Sequence, residues 1–161
     1  MWYPWLAGQL RALGMEVDLQ AFPDPLYARE SIWVPFAVDT LGLNESTVLV
    51  GHSSGAACAL RLMEKYKVRG CVLVSAYHTD LGDDLERASG YFSRPFDWVA
   101  MRRNCPWIVQ FHSKNDHLVP VKVARDVAQL LQPTEYVERD RDGHFQGEEY
   151  PCFVEVLRRY L

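Results

Sequence analysis

The sequence predicts an α/β fold in three layers, a doubly wound and mostly parallel sheet with helices on both faces. Three observations carry that prediction. Short apolar runs at 47–50, 68–75, 107–111 and 136–137 alternate with segments of helical character, the order expected of parallel strands joined by crossover helices. The 161 residues are 48% hydrophobic and show no repeat, low-complexity tract or linker, so 1–161 reads as a single domain with a sizeable core. Finally, Gly51-His52-Ser53-Ser54-Gly55 stands between the run 47–50 and the Ala- and Leu-rich stretch 56–63, a strand, a tight turn and a helix in immediate succession.

In chain order, residues 2–13 predict a helix with Leu6, Leu10 and Leu13 on one face and Gly14 as its stop. Val17, Leu19 and Ala21 alternate with polar residues and predict a strand, closed by Pro23-Asp24-Pro25. Residues 29–41 predict a helix kinked at Pro35. Asn44-Glu45-Ser46 turns the chain into the 47–50 strand. After the 68–75 strand comes a long connection, 76–104, with a helical patch at 98–103. Connections of this length are usually functional, and 76–104 reads as a cap-like insertion. The 107–111 strand, a helix over Val121–Leu131, the 136–137 strand and a final helix over 146–161 complete the chain.

The net charge of −4 argues for neither nucleic acid nor an anionic membrane as partner. The longest charge-free stretch, 46–60, is too short and too polar to span a bilayer, and the start of the chain lacks the basic and apolar regions of a signal peptide. Cys58, Cys71, Cys105 and Cys152 are scattered without metal-ligand spacing, so no metal or cofactor is expected, and a reducing, cytoplasmic or nuclear compartment fits them best.

The turn at 51–55 has the pattern of a nucleophile elbow, G-x-S-x-G between strand and helix. Gly51 and Gly55 are expected to be required by the tight reversal, and Ser53 is the candidate nucleophile. A serine hydroxyl needs a base, and the base needs an orienting group, arriving in the order Ser, Asp or Glu, His on loops leaving strand ends. Asp116 lies in the loop after the 107–111 strand, and His144 in the loop after the 136–137 strand. Hence Ser53 is expected to attack, His144 to act as base and then acid, and Asp116 to fix the imidazole. The Ser54 amide, at the start of the following helix, is the expected oxyanion donor. Asp142 is the alternative acid, but its place two residues before His144 fits a turn. His52, His78, His112 and His117 are expected to be ordinary solvated histidines. Tyr91, Phe92, Phe96 and Trp98 either line a pocket for an acyl or aromatic group or simply pack the insertion onto the sheet.

Gly-His-Ser-Ser-Gly-Ala at 51–56, Leu-Val-Ser-Ala-Tyr at 73–77, Glu-Arg-Ala-Ser-Gly-Tyr-Phe at 86–92, Asn-Cys-Pro at 104–106 and Asp-Gly-His-Phe-Gln at 142–146 resemble the retinoblastoma-binding protein 9 family of small α/β-hydrolase-fold serine hydrolases. The resemblance runs over nearly the whole chain. It implies the same triad at Ser53, Asp116 and His144, and hydrolysis of a small ester or amide. Two departures stand out. The family's Leu-x-Cys-x-Glu motif corresponds to Leu41-Gly42-Leu43-Asn44-Glu45, and leucine in place of cysteine counts against a retinoblastoma-type partner. Family members also begin with a strand and Gly-rich loop ahead of Trp2-Tyr3-Pro4-Trp5. By the resemblance that strand lies between the 17–21 and 47–50 strands, and its loop supplies an oxyanion amide. An N-terminally shortened fold is therefore expected, with a gap of about 9.5 Å, unpaired backbone groups costing about 1–3 kcal/mol each, and hydrolysis weakened by roughly 10²–10³ in kcat.

Three functions are open at this point: a serine hydrolase with an acyl-enzyme, a catalytically silent interaction protein, and an acyltransferase using the same three side chains.

Overall fold

The computed structural model describes residues 1–161. Four parallel strands, β1 (Val48–His52), β2 (Gly70–Val74), β3 (Ile108–Ser113) and β4 (Glu135–Arg139), lie side by side in chain order. Helices α3 (Ser54–Lys65), α5 (Trp98–Asn104) and α6 (Val121–Leu131) make the crossovers. They share one face of the sheet, as right-handed crossovers between successive neighbours must. There Ala56, Leu60, Met63, Met101, Val127 and Leu131 pack on Cys71, Leu73 and Ile108. Helices α1 (Tyr3–Ala12) and α7 (Pro151–Tyr160) cover the opposite face, where Leu6, Leu10, Phe153 and Leu157 meet Val72, Val74, Val109 and Phe111. The layers are those of an α/β-hydrolase fold. Every residue of β2 and β3 is buried, because both faces of the inner strands are covered.

The 17–21 segment does not form its expected strand. Its apolar residues alternate, but alternation yields a strand only where the segment meets a partner, and β1, an edge of the sheet, is paired with β2 alone. Val17 instead rests against the core beside α1 while Leu19 is 45% exposed. The 29–41 helix divides as Pro35 foretold: α2 (Glu30–Pro35) passes directly into a single π-helical turn, Phe36–Thr40, closed by Leu41 N–H donating to the Phe36 carbonyl at 3.1 Å. The final helix starts only at Pro151, which fits the first turn of a helix; residues 146–150 are irregular.

The 76–104 connection is in part built into the helical layer. Its α5 portion buries Ala100 and Met101 in the layer shared with α3 and α6. The remainder, including α4 (Asp84–Ser89), is tied down by Arg61 of α3. This fully buried guanidinium donates to the carbonyls of Tyr91, Arg94 and Pro95, pairs with Glu64 and lies 3.7 Å from the Phe96 ring centroid. Buried charge is tolerated there because nearly every donor has an acceptor.

Candidate active site

Ser53 occupies the one-residue turn between β1 and α3 with φ 56° and ψ −121°, a backbone state costing about 1–3 kcal/mol for a residue with a side chain. Two contacts hold it. Its N–H donates to the Val74 carbonyl at 3.0 Å, and its carbonyl accepts from the Ala56 and Ala57 amides at 2.8 and 3.2 Å. Gly51 is required by close approach: a Cβ there would stand 2.4 Å from the Gly55 carbonyl oxygen. Gly55 is not, contrary to expectation, because a Cβ there meets nothing within 4 Å; the reversal is already complete at that point. Ser54 opens α3, so its N–H has no intrahelical acceptor and sits at the positive end of the helix.

Asp116 hangs in the loop after β3 with its side chain fully enclosed. Burial by itself would raise its pKa. Bonds from His144, from the Val119 and Leu118 amides (2.9 Å each) and from the Ser75 hydroxyl (2.8 Å) outweigh that and hold the carboxyl down at about 2. His144 Nδ1 lies 2.8 and 3.0 Å from the two Asp116 oxygens. With Nδ1–H donating to an ionised carboxylate, Nε2 of the neutral ring carries the lone pair. The two loops are stitched together: the Asp142 amide donates to Ser113 Oγ, and the Gly143 amide donates to Asn115 Oδ1, at 2.9 Å each. Asp142 itself pairs with Arg139 at 2.6 Å within the turn.

The hydrogen bonds of the His144 ring go to Asp116, and none joins it to the Ser53 hydroxyl. The Ser53 hydroxyl lies instead beside that of Tyr77, which approaches Ser54 Oγ at 3.4 Å and donates to Glu86 of α4 at 2.7 Å. Burial raises the Glu86 carboxyl above the ordinary range, opposed by the Tyr77 bond. Sequence reasoning missed Ser75, Tyr77 and Glu86; only the 73–77 and 86–92 stretches of the resemblance passed near them.

The remaining candidates separate. His117 is exposed, and His78 is half-buried beside Trp98. His112 and His52 are not solvated loop residues. His112 is fully buried and bonds the Val119 carbonyl at 3.0 Å, and His52 is clasped between Tyr3 and the backbone of His144; both side chains leave the C-terminal end of a strand, where the packed layers close over them. Phe92, Phe96 and Trp98, with His78, Pro95 and Leu130, line an open groove of about 390 Å³. Phe92 touches Tyr77, ring centroids 5.2 Å apart, which links the groove to the Ser53 turn. Tyr91 is not part of it. Fully buried, it packs with Ala57, Cys58 and Leu62 because Arg61 draws its carbonyl down onto α3. No three His, Cys, Asp or Glu side chains converge to hold a metal ion. All four thiols are unpaired, and no helix is long and apolar enough to cross a membrane. In the 41–45 stretch, Leu43 packs partly into the core and Asn44 bonds its own turn.

Three comparisons with known proteins bear on this site. The first solved structure is the ydeN gene product of Bacillus subtilis, which superposes with a TM-score of 0.87 over 99% of this chain and 89% of that one at 29% identity. An esterase from Rhodococcus and the carbazole-degradation serine hydrolase CarC, each 18% identical, share the fold with TM-scores of 0.61 and 0.59. The fold is therefore that of the α/β hydrolases. The serine hydrolase family profile matches residues 1–151. Serine hydrolase RBBP9 of Rattus norvegicus is 45% identical over 99% of this chain and 86% of its own length, and Bacillus subtilis YdeN 31% identical over 99% and 88%. The chain belongs to the serine hydrolase family that includes RBBP9.

Proposed function

We propose that this serine hydrolase cleaves small esters or amides through Ser53, His144 and Asp116. The observation that supports it most is the Asp116–His144 pair, a buried carboxylate gripping Nδ1 at 2.8 Å, at the same strand ends as the strained Ser53 turn. In this reading Nε2 of His144 takes the Ser53 proton as Oγ attacks the carbonyl carbon. The carbonyl π electrons move onto oxygen, and the Ser54 amide at the head of α3 stabilises that charge. Collapse of the tetrahedral intermediate expels the alcohol or amine, which takes the proton back from His144. Water, deprotonated by the same nitrogen, then releases the acid and frees Ser53. Asp116 stays ionised throughout and stabilises the transient imidazolium. Phe92, Phe96 and Trp98 supply the apolar wall for the substrate's side chain.

Labelling with a fluorophosphonate serine probe tests the assignment. The expected result is stoichiometric labelling of the chain and none in Ser53→Ala. Labelling that persists in Ser53→Ala, or its absence from a folded wild-type chain, overturns it.

A further inference from the structure

The loop that carries His144 is held from outside by residues that the triad does not include. Phe145 has φ 50° and Gly143 φ 57°, so the chain folds back on itself and turns two successive carbonyls, 144 and 145, toward the interior. Each finds a side-chain donor. The Trp2 indole N–H, 1% exposed, donates to the Phe145 carbonyl at 2.9 Å. His52 Nε2 stands 2.8 Å from the His144 carbonyl, and its Nδ1 stands 2.5 Å from the Tyr3 hydroxyl.

The chemistry of these partners fixes the state of His52. A carbonyl only accepts, so Nε2 must carry the hydrogen. Burial, reinforced by the neighbouring His144, holds His52 down to about 4, so near neutral pH the ring carries only that one hydrogen. Nδ1 is then an acceptor and the Tyr3 hydroxyl its donor. Burial pushes that hydroxyl up to about 12, so it keeps its proton. The result is a one-way relay: Tyr3 O–H to His52 Nδ1, and His52 Nε2–H to the His144 carbonyl.

We infer that His52, oriented by Tyr3, is a positioning residue that fixes the His144 backbone and thereby aims Nε2 at Ser53. Asp116 grips the imidazole at Nδ1, and the flanking Gly143 amide and Phe145 carbonyl are tied to Asn115 and Trp2, which leaves the His144 main chain itself to be fixed. The bond from His52 supplies a second fixed point, on the main chain of the same residue. His52 also immediately precedes Ser53. Its backbone therefore leads into the nucleophile's turn while its side chain sets the base, the two rings lying 4.8 Å apart. Nucleophile and base are thus referred to one residue, so movement of one is transmitted to the other.

This inference rests on the roles proposed for Ser53 and His144, and its test keeps the two apart. Amide hydrogen exchange over residues 142–147 and the rate of fluorophosphonate labelling are measured on the full chain for wild type, His52→Ala, His52→Gln and Tyr3→Phe. In His52→Ala, exchange over 142–147 is expected to accelerate roughly tenfold and labelling to slow roughly 10- to 100-fold. With an ester substrate the loss should fall on kcat and leave KM nearly unchanged. His52→Gln, whose amide N–H2 can reach the same carbonyl, should recover most of both. Tyr3→Phe keeps the ring but frees its tautomer, and should slow labelling by about threefold. This variant also decides the matter should His52→Ala fail to fold. Wild-type exchange and labelling in a folded His52→Ala, or in Tyr3→Phe where His52→Ala does not fold, would overturn the inference and leave the Ser53 assignment standing. Accelerated exchange that His52→Gln reverses, in a protein whose wild type takes no label, would sustain the anchoring of the loop and sink the catalytic assignment.

Discussion

The two sides of the sheet hold their share of the site in different ways. On the β3–β4 side, Asp116 follows β3, buried along its whole length, and His144 follows β4, one edge of the sheet. The carboxylate accepts bonds from two amides, a hydroxyl and the imidazole. On the β1 side, the strand leading to Ser53 is the sheet's other edge, and Val50 is 37% exposed. Ser53 owes its place to close packing at Gly51 and to the α3 helix, whose Ala56 to Met63 are all buried. Asp116 and His144 are thus held mainly by side-chain polar bonds, while Ser53 is held by close packing and by backbone bonds to Val74 and α3. Charged hydrogen bonds answer to substitution and to pH, whereas close packing answers to side-chain volume, so the two sides should respond differently to perturbation.

The largest effect is expected on the acid–base side. Asp116→Asn presents an amide that can donate to the imidazole and favour the wrong tautomer. Ester hydrolysis should fall by roughly 10³–10⁴ in kcat with the circular-dichroism spectrum retained. On the nucleophile side the counterpart is Gly51→Ala. Its Cβ would meet backbone at 2.4 Å, and urea denaturation should show a loss of roughly 2–4 kcal/mol. Gly55→Ala, four residues on in open space within α3, should be neutral or stabilising by up to about 1 kcal/mol; equal losses from the two would contradict the packing account of the turn.

Acid sharpens the contrast. The Asp116 pKa is held at about 2 when folded against about 3.9 unfolded. A depressed carboxyl stabilises the fold fully above the unfolded value, and that contribution drains away as pH falls from about 4 through 2. The expected share is about 2–3 kcal/mol. Thermal melts between pH 5 and 2 (roughly the span over which the carboxyl titrates) should therefore fall less steeply for Asp116→Asn than for wild type. The smallest contrast is apolar. Val109→Ala, on a fully buried strand, should cost about 2 kcal/mol, and Val50→Ala less than half of that; similar costs would show that the edge is better covered than its exposure indicates.

Much of the site was legible because its parts are local. The elbow is a five-residue pattern with a strand before it and a helix after it, and the loops carrying Asp116 and His144 follow strands whose apolar runs are unmistakable. Position on a strand end, combined with residue type, is what nominates Asp116 and His144 among the acids and histidines, and the structure pairs the two at 2.8 Å. The 17–21 strand was misread for the converse reason: alternation records a capacity to pair, and pairing needs a neighbour. Tyr91 looked like its aromatic neighbours until Arg61, thirty positions earlier, was seen to pull it into the core. Nothing around His52 in the chain signals that its ring meets Tyr3 and the carbonyl of His144, 49 and 92 residues away.

By itself the sequence indicated the four strands of the sheet with their crossover helices, the layers, and the serine, histidine and aspartate proposed for the site. These follow from periodicity and from turn chemistry, both of which act over a few residues. Only the tertiary structure decided which extended segment joins the sheet, which aromatic faces a groove, and which donors meet the carbonyls of the His144 loop. Those outcomes depend on what distant parts of the chain bring to one place, and packing, not local preference, sets that.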